Sequence, residues 1–120
     1  MIAIKRYGNG VIVKGHAGYA EAGKDIVCAA ISTLTDTLIE SINQLTDAEV
    51  SVAEDNGYIE IKHIEQNEII EEHGSVKIMQ RSDDTQLLRF LFAVFMIGCK
   101  GVAETYPDNV MVDDTPYEFF

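Results

Sequence analysis

Two residues of this chain, Cys28 and His16, have the types and spacing for acyl-transfer chemistry. Cys28 falls in the first turn of a predicted helix, and His16 stands where an apolar strand ends. A thiolate attacks a carbonyl carbon when an imidazole within reach takes or holds its proton. Ala17 to Lys24 lies between the histidine and the helix, with two glycines and three alanines. Such a loop can fold the chain back so that the two side chains meet. Tyr19 is its one residue with the bulk to anchor, so the loop is expected to be mobile.

The surroundings of the pair allow more than one reading. With Asp25 as N-cap, Cys28 is the third helical residue, near unsatisfied N–H groups and the positive end of the helix dipole. Both favour thiolate over thiol. The Asp25 carboxylate opposes them by repulsion, and a buried, inert cysteine is equally at home in a helix. His16 is either the partner of the thiol or an ordinary surface histidine at a strand end. Asp25 either caps the helix or orients His16 as a third member, and it can do both. Ser32, one turn after Cys28, either contacts substrate or bonds back to the Cys28 carbonyl, the blander role. Gly15, Gly18 and Gly23 permit close backbone approach or hinging, and also suit plain turns. An oxyanion would be held by backbone N–H groups of the helix start or the loop.

Composition sets limits. The 120 residues are 47% hydrophobic, enough for the core of a single domain over 1–120, and the formal net charge is −11. That charge argues against nucleic acid and for a basic polypeptide as partner. Cys28 and Cys99 follow no secretory signal, which points to free thiols in a reducing cytoplasm. The two cysteines and three histidines lack metal-ligand spacing, so no metal or other cofactor is expected. The longest apolar run, Phe90 to Cys99, is half the roughly 20 residues of a membrane span and reads as a core helix. Cys99 within it reads as core. His63, His73 and the paired acids Glu71-Glu72, Asp83-Asp84 and Asp113-Asp114 suggest no site.

The elements that must position the pair follow from pattern. Ile2 to Tyr7 and Val11 to Lys14 read as a hairpin about Gly8-Asn9-Gly10. Val27, Ile31, Leu34, Leu38, Ile42 and Leu45 form a helical stripe over Ile26 to Leu45. Glu49 to Glu54 and Tyr58 to Lys62 read as strands joined by Asp55-Asn56-Gly57. From Glu65 to Ser82 an extra hairpin with a His73-Gly74 turn is favoured over a helix. A second helix runs from Asp83-Asp84 to about Tyr106, before Pro107. It is apolar nearly all round, so one side should face the sheet and another a partner subunit. Asn109 to Val112 suggests a last short strand. The order β-β-α-β-β-(β)-α predicts an α+β fold, a small antiparallel or mixed sheet with two helices packed on it.

Taken together, Gly15-His16-Ala17 and Gly23-Lys24-Asp25-Ile26-Val27-Cys28-Ala29-Ala30-Ile31-Ser32 resemble the ribosomal-processing cysteine protease (Prp) family. Both blocks match by residue and by the spacing between them. The close match covers about eighteen residues; the opening hairpin, the long first helix, Asp55-Asn56-Gly57 and a final helix ending Glu104-Thr105-Tyr106 agree more loosely. The resemblance implies a homodimeric α+β thiol protease with Cys28 as nucleophile and His16 as base. It implies a loop from Ala17 to Lys24 that covers the site and moves when substrate enters, bringing Gly18, Tyr19 and Gly23 near the substrate. Members of the family are bacterial and remove a short N-terminal extension from large-subunit ribosomal protein L twenty-seven, cutting after paired aromatic residues. A basic ribosomal substrate suits the acidic chain.

Two stretches depart from the family pattern: Glu65 to Ser82 is longer than expected, and the acidic tail after Pro107 is extended. Related phage enzymes process capsid or scaffold proteins, and a longer hairpin would suit such a target. Phe119-Phe120 resembles the aromatic pair before a cleavage point, although an aromatic tail packed on the domain is the ordinary explanation. A non-catalytic dimeric binding module with a structural Cys28 is the alternative from another class. A thiol redox protein is disfavoured by the lack of a Cys-x-x-Cys pair.

Overall fold

The computed structural model describes residues 1–64, 67–72, 75–80 and 84–114. Its elements are β1 (Ile2–Tyr7), β2 (Gly10–Gly15), α1 (Ile26–Leu45), β3 (Val50–Asp55), β4 (Tyr58–His63), β5 (Asn67–Glu72), β6 (Ser75–Gln80), α2 (Asp84–Thr105) and β7 (Val110–Asp114). Five strands form one sheet in the order β3-β4-β2-β1-β7, and β5 and β6 pair antiparallel as a separate hairpin. The chain is therefore α+β, with the expected extra hairpin in place of a helix. The His73-Gly74 turn, Asp83 and the Phe119-Phe120 tail lie outside the described residues.

Alternation builds the sheet. Ile2, Ile4 and Arg6 turn to the buried face of β1, as do Val11 and Val13 of β2. The β1–β2 hairpin pairs Ile2 with Gly15 and Tyr7 with Gly10. Strand β4 lies antiparallel to β2, pairing Lys14 with Tyr58, and β3 closes that edge. Strand β7 returns parallel to β1, pairing Ile2 with Val110, which makes the sheet mixed. A parallel neighbour requires a crossover, and α2 serves as one.

Helix α1 has the predicted bounds but a slightly different stripe. Its buried residues are Val27, Ile31, Thr35, Leu38 and Ile42. Leu45 is exposed and Leu34 half-buried, while Thr35 takes an inward place. The steps of four and three follow the 3.6-residue period. Thr35 tolerates burial because its hydroxyl donates to the Ile31 carbonyl at 2.8 Å.

Helix α2 buries Leu88, Phe92, Phe95, Met96 and Cys99. Phe90, Val94 and Ile97, spaced by four and three, remain 62%, 50% and 68% exposed and form a second apolar stripe. Over its most apolar 18 residues α2 reaches a mean hydropathy of 1.6, and α1 reaches 1.2. By length and composition alone either helix could cross a membrane. In this fold one face of each closes the core over the sheet.

Candidate active site

Strand β2 ends at Gly15, whose φ of +99° turns the chain toward the helix. A side chain there would also run into the Met1 carbonyl, so glycine is needed on both counts. The next two residues diverge: His16 is exposed, and Ala17 is buried. The Ala17 N–H donates to the Cys28 Sγ at 3.3 Å. A backbone donor on sulfur stabilises negative charge there. The Ala17 carbonyl accepts from Asn109 Nδ2 at 2.9 Å, and the Asn109 carbonyl in turn accepts the Ile2 N–H at 2.9 Å. The peptide that touches the thiol is thus pinned from the far end of the chain.

Asp25 caps α1. Its Oδ1 accepts the N–H groups of Val27 and Cys28 at 3.0 and 2.9 Å. Its Oδ2 accepts those of Tyr19 and Ala20 at 3.0 and 3.3 Å. The Cys28 N–H is the largest influence holding the Asp25 carboxyl below the usual carboxylate range; partial burial opposes it, and the Ala20 and Tyr19 N–H groups and the Cys28 side chain assist. All four of these bonds go to backbone and none to His16, so the geometry is that of a cap that also ties down the loop. This revises the expected surroundings of the sulfur. Two N–H groups of the helix start are already engaged by Asp25, and the donor that reaches sulfur comes from the loop.

The loop is better anchored than its composition suggests. Besides the two bonds to Asp25, the Tyr19 ring meets the Tyr106 ring edge-on, with centroids 5.3 Å apart and planes at 79°. Gly18 and Gly23 take positive φ values of 66° and 84° with open space around them, as turn or hinge glycines do.

His16 and Cys28 line one cleft of ≈ 540 Å³. Its apolar wall comes from Ile2, Val13, Ile31 and Ile59, and its acidic side from Asp36, Glu54 and Asp55. Ser32 is exposed and lines the cleft. Among the described residues the back-bond expected of Ser32 is made instead by Thr33, Thr35 and Thr37, to Ala29, Ile31 and Thr33. Cys28, Ser32, Thr35 and Asp36 share one face of α1, of which the sequence placed Ser32 beside Cys28. The contribution of β3 and β4 was not legible, because it depends on the pairing of β4 with β2. Cys99 is fully buried, and burial pushes its thiol up to about 12. Among the described residues no cluster of three or more His, Cys, Asp or Glu could hold a metal ion.

A helix-borne thiol with a backbone donor on sulfur, sharing an open cleft with an exposed imidazole on an α+β frame, defines a thiol hydrolase by class. The comparisons narrow the class: residues 1–111 match the model of the family described as cysteine protease Prp, and the chain belongs to that family. It is thereby a cysteine protease of the ribosomal-processing kind. The ribosomal processing cysteine protease Prp of Mycoplasma genitalium is 29% identical over 118 residues, covering 98% of this chain and all of that one. That match runs nearly end to end and so spans the stretch from Glu65 to Ser82. Among solved structures, the essential ribosomal processing protease Prp from S. aureus, in complex with a covalently linked product peptide, superposes with a TM-score of 0.68. It is 22% identical and covers 93% of this chain and 95% of its own. SMU.848 from Streptococcus mutans gives a TM-score of 0.63 at 28% identity, covering 93% of this chain and 90% of its own.

Proposed function

We propose that this protease removes the N-terminal extension of a bacterial large-subunit ribosomal protein of the L twenty-seven type, cutting after paired aromatic residues. Cys28 is the nucleophile and His16 the base. The observation that carries the site assignment is the Ala17 N–H on Cys28 Sγ, in the cleft that His16 also lines. His16 takes the thiol proton, and sulfur attacks the scissile carbonyl. As the tetrahedral intermediate collapses, the imidazolium protonates the leaving amine and a thioester remains on Cys28. His16 then takes a proton from water, the hydroxide adds to the thioester, and the carboxylate product leaves as the thiol is restored. The apolar wall suits aromatic side chains, and the acidic side suits a basic chain, as does the net charge of −11.

Two further assignments belong to this reading. The stripe of Phe90, Val94 and Ile97 is covered by a second copy, giving a homodimer. The enzyme works in the cytoplasm, where Cys28 and Cys99, both free, stay reduced.

The test is mass spectrometry of peptides bearing a Phe-Phe-Ala junction followed by basic residues, after incubation with wild-type or Cys28→Ala protein. Cleavage after the second Phe by wild type alone is the expected result. Cleavage by Cys28→Ala protein would overturn the nucleophile assignment. An uncut peptide set would overturn the substrate.

A further inference from the structure

The turn Asp55-Asn56-Gly57 joins β3 to β4, and its last residue packs against the Nε2 side of the His16 ring. Gly57 has a φ of +67°. A Cβ built on it would lie 2.8 Å from His16 Nε2, 3.3 Å from Cδ2 and 3.4 Å from Cε1. The short and nearly equal distances to the two ring carbons place this point over Nε2, on the face of the imidazole. The same glycine is tied to the strand that leads into His16: the Gly15 N–H donates to the Gly57 carbonyl at 2.7 Å. That bond extends the β2–β4 pairing one step past Lys14 and Tyr58. The turn therefore holds the backbone just before His16 and also offers a side-chain-free surface to the ring. Both Gly57 and His16 line the cleft.

We infer that the β3–β4 turn is the positioning element for the imidazole, with Gly57 as the positioning residue: any side chain at 57 displaces Nε2 from its working place. The inference rests on His16 being the partner of the thiol. The fold does not absorb the clash in another way, because the ring is an exposed side chain and yields before the backbone does. Glycine at 57 then serves two purposes. Its positive φ closes the turn, and its missing Cβ makes room for the ring.

Two substitutions separate those purposes. Gly57→Ala strains the turn and pushes the ring, whereas Gly57→Asn pushes the ring with a residue that accepts left-handed backbone. Each is made in the full chain, in the wild-type and in the His16→Ala background. The readouts are the iodoacetamide alkylation rate of Cys28 at pH 7, the kcat and KM for a cleavable peptide, and thermal unfolding. In the wild-type background both substitutions lower the alkylation rate and kcat by about tenfold or more, toward the His16→Ala values, with a smaller change in KM. In the His16→Ala background neither changes the alkylation rate further, because no ring remains to displace. Wild-type rates for Gly57→Asn, beside a slowed His16→Ala enzyme, would overturn this inference alone. Equal losses in both backgrounds would also overturn it, by making Gly57 merely structural. An unchanged rate for His16→Ala would overturn the assignment of His16 and this inference with it.

Discussion

At Cys28 and Cys99 the same side chain meets two environments. Cys28 sits half-buried at a helix start with a backbone donor on sulfur. Cys99 is enclosed by the core, where burial pushes the thiol up to about 12. Alkylation of the native enzyme between pH 7 and 9 should therefore add one label, on Cys28, and denaturation should admit the second. Intact mass before and after unfolding measures this directly. Two labels on native protein would contradict the burial of Cys99. His16→Ala should lower kcat by about 10²–10⁴-fold, the range for a lost general base, in an enzyme that unfolds at the wild-type temperature. Residue type and spacing singled out His16 and Cys28, and the structure brings both to one cleft. Type and spacing could not reveal that Ala17 supplies the sulfur's donor or that Asn109 pins Ala17, because both bonds are long-range or run through backbone.

Among the elements, the loop and the start of α1 are held as one unit by Asp25. Its carboxyl is depressed in the folded state, so its contribution to stability is complete above the unfolded value near 4. That contribution is lost as pH falls through the folded value. Wild type should thus lose stability on acidification over this range, and Asp25→Asn should flatten that part of the curve. Denaturant midpoints from pH 6 downward test the point; parallel curves would contradict it. Tyr106→Ala removes the ring against which Tyr19 rests. It should raise hydrogen exchange at Tyr19 and Ala20 while α1 stays protected. The apolar stripe of α1 was readable as a helix from its period. The inward place of Thr35 was not, because it depends on a hydroxyl finding the Ile31 carbonyl. The strand pattern gave each hairpin, but the parallel return of β7 is decided by where α2 delivers the chain.

For the whole molecule, the two faces of α2 differ sharply in exposure. Phe92, 1% exposed, belongs to the inner face, and Phe92→Ala should cost about 3–5 kcal/mol in chemical denaturation. Ile97, 68% exposed, belongs to the outer stripe. If a second copy covers this stripe, as proposed, Ile97→Glu leaves the fold intact and shifts the light-scattering mass from two chains toward one. An unchanged mass would remove this stripe from the interface. The net charge of −11 predicts that KM for a basic peptide rises with salt, as screening shortens the reach of Asp36, Glu54 and Asp55. A KM independent of ionic strength would separate substrate choice from charge. The measurement that reaches the central claim most directly is capture of the acyl-enzyme. The enzyme is mixed with excess Phe-Phe-Ala peptide, quenched in acid within a turnover, and analysed by intact mass and peptide mapping. The expected product is an adduct equal to the acyl portion up to the second Phe, carried on Cys28 alone and missing from Cys28→Ala protein. Turnover with no adduct at Cys28, or with an adduct on another residue, would contradict that claim.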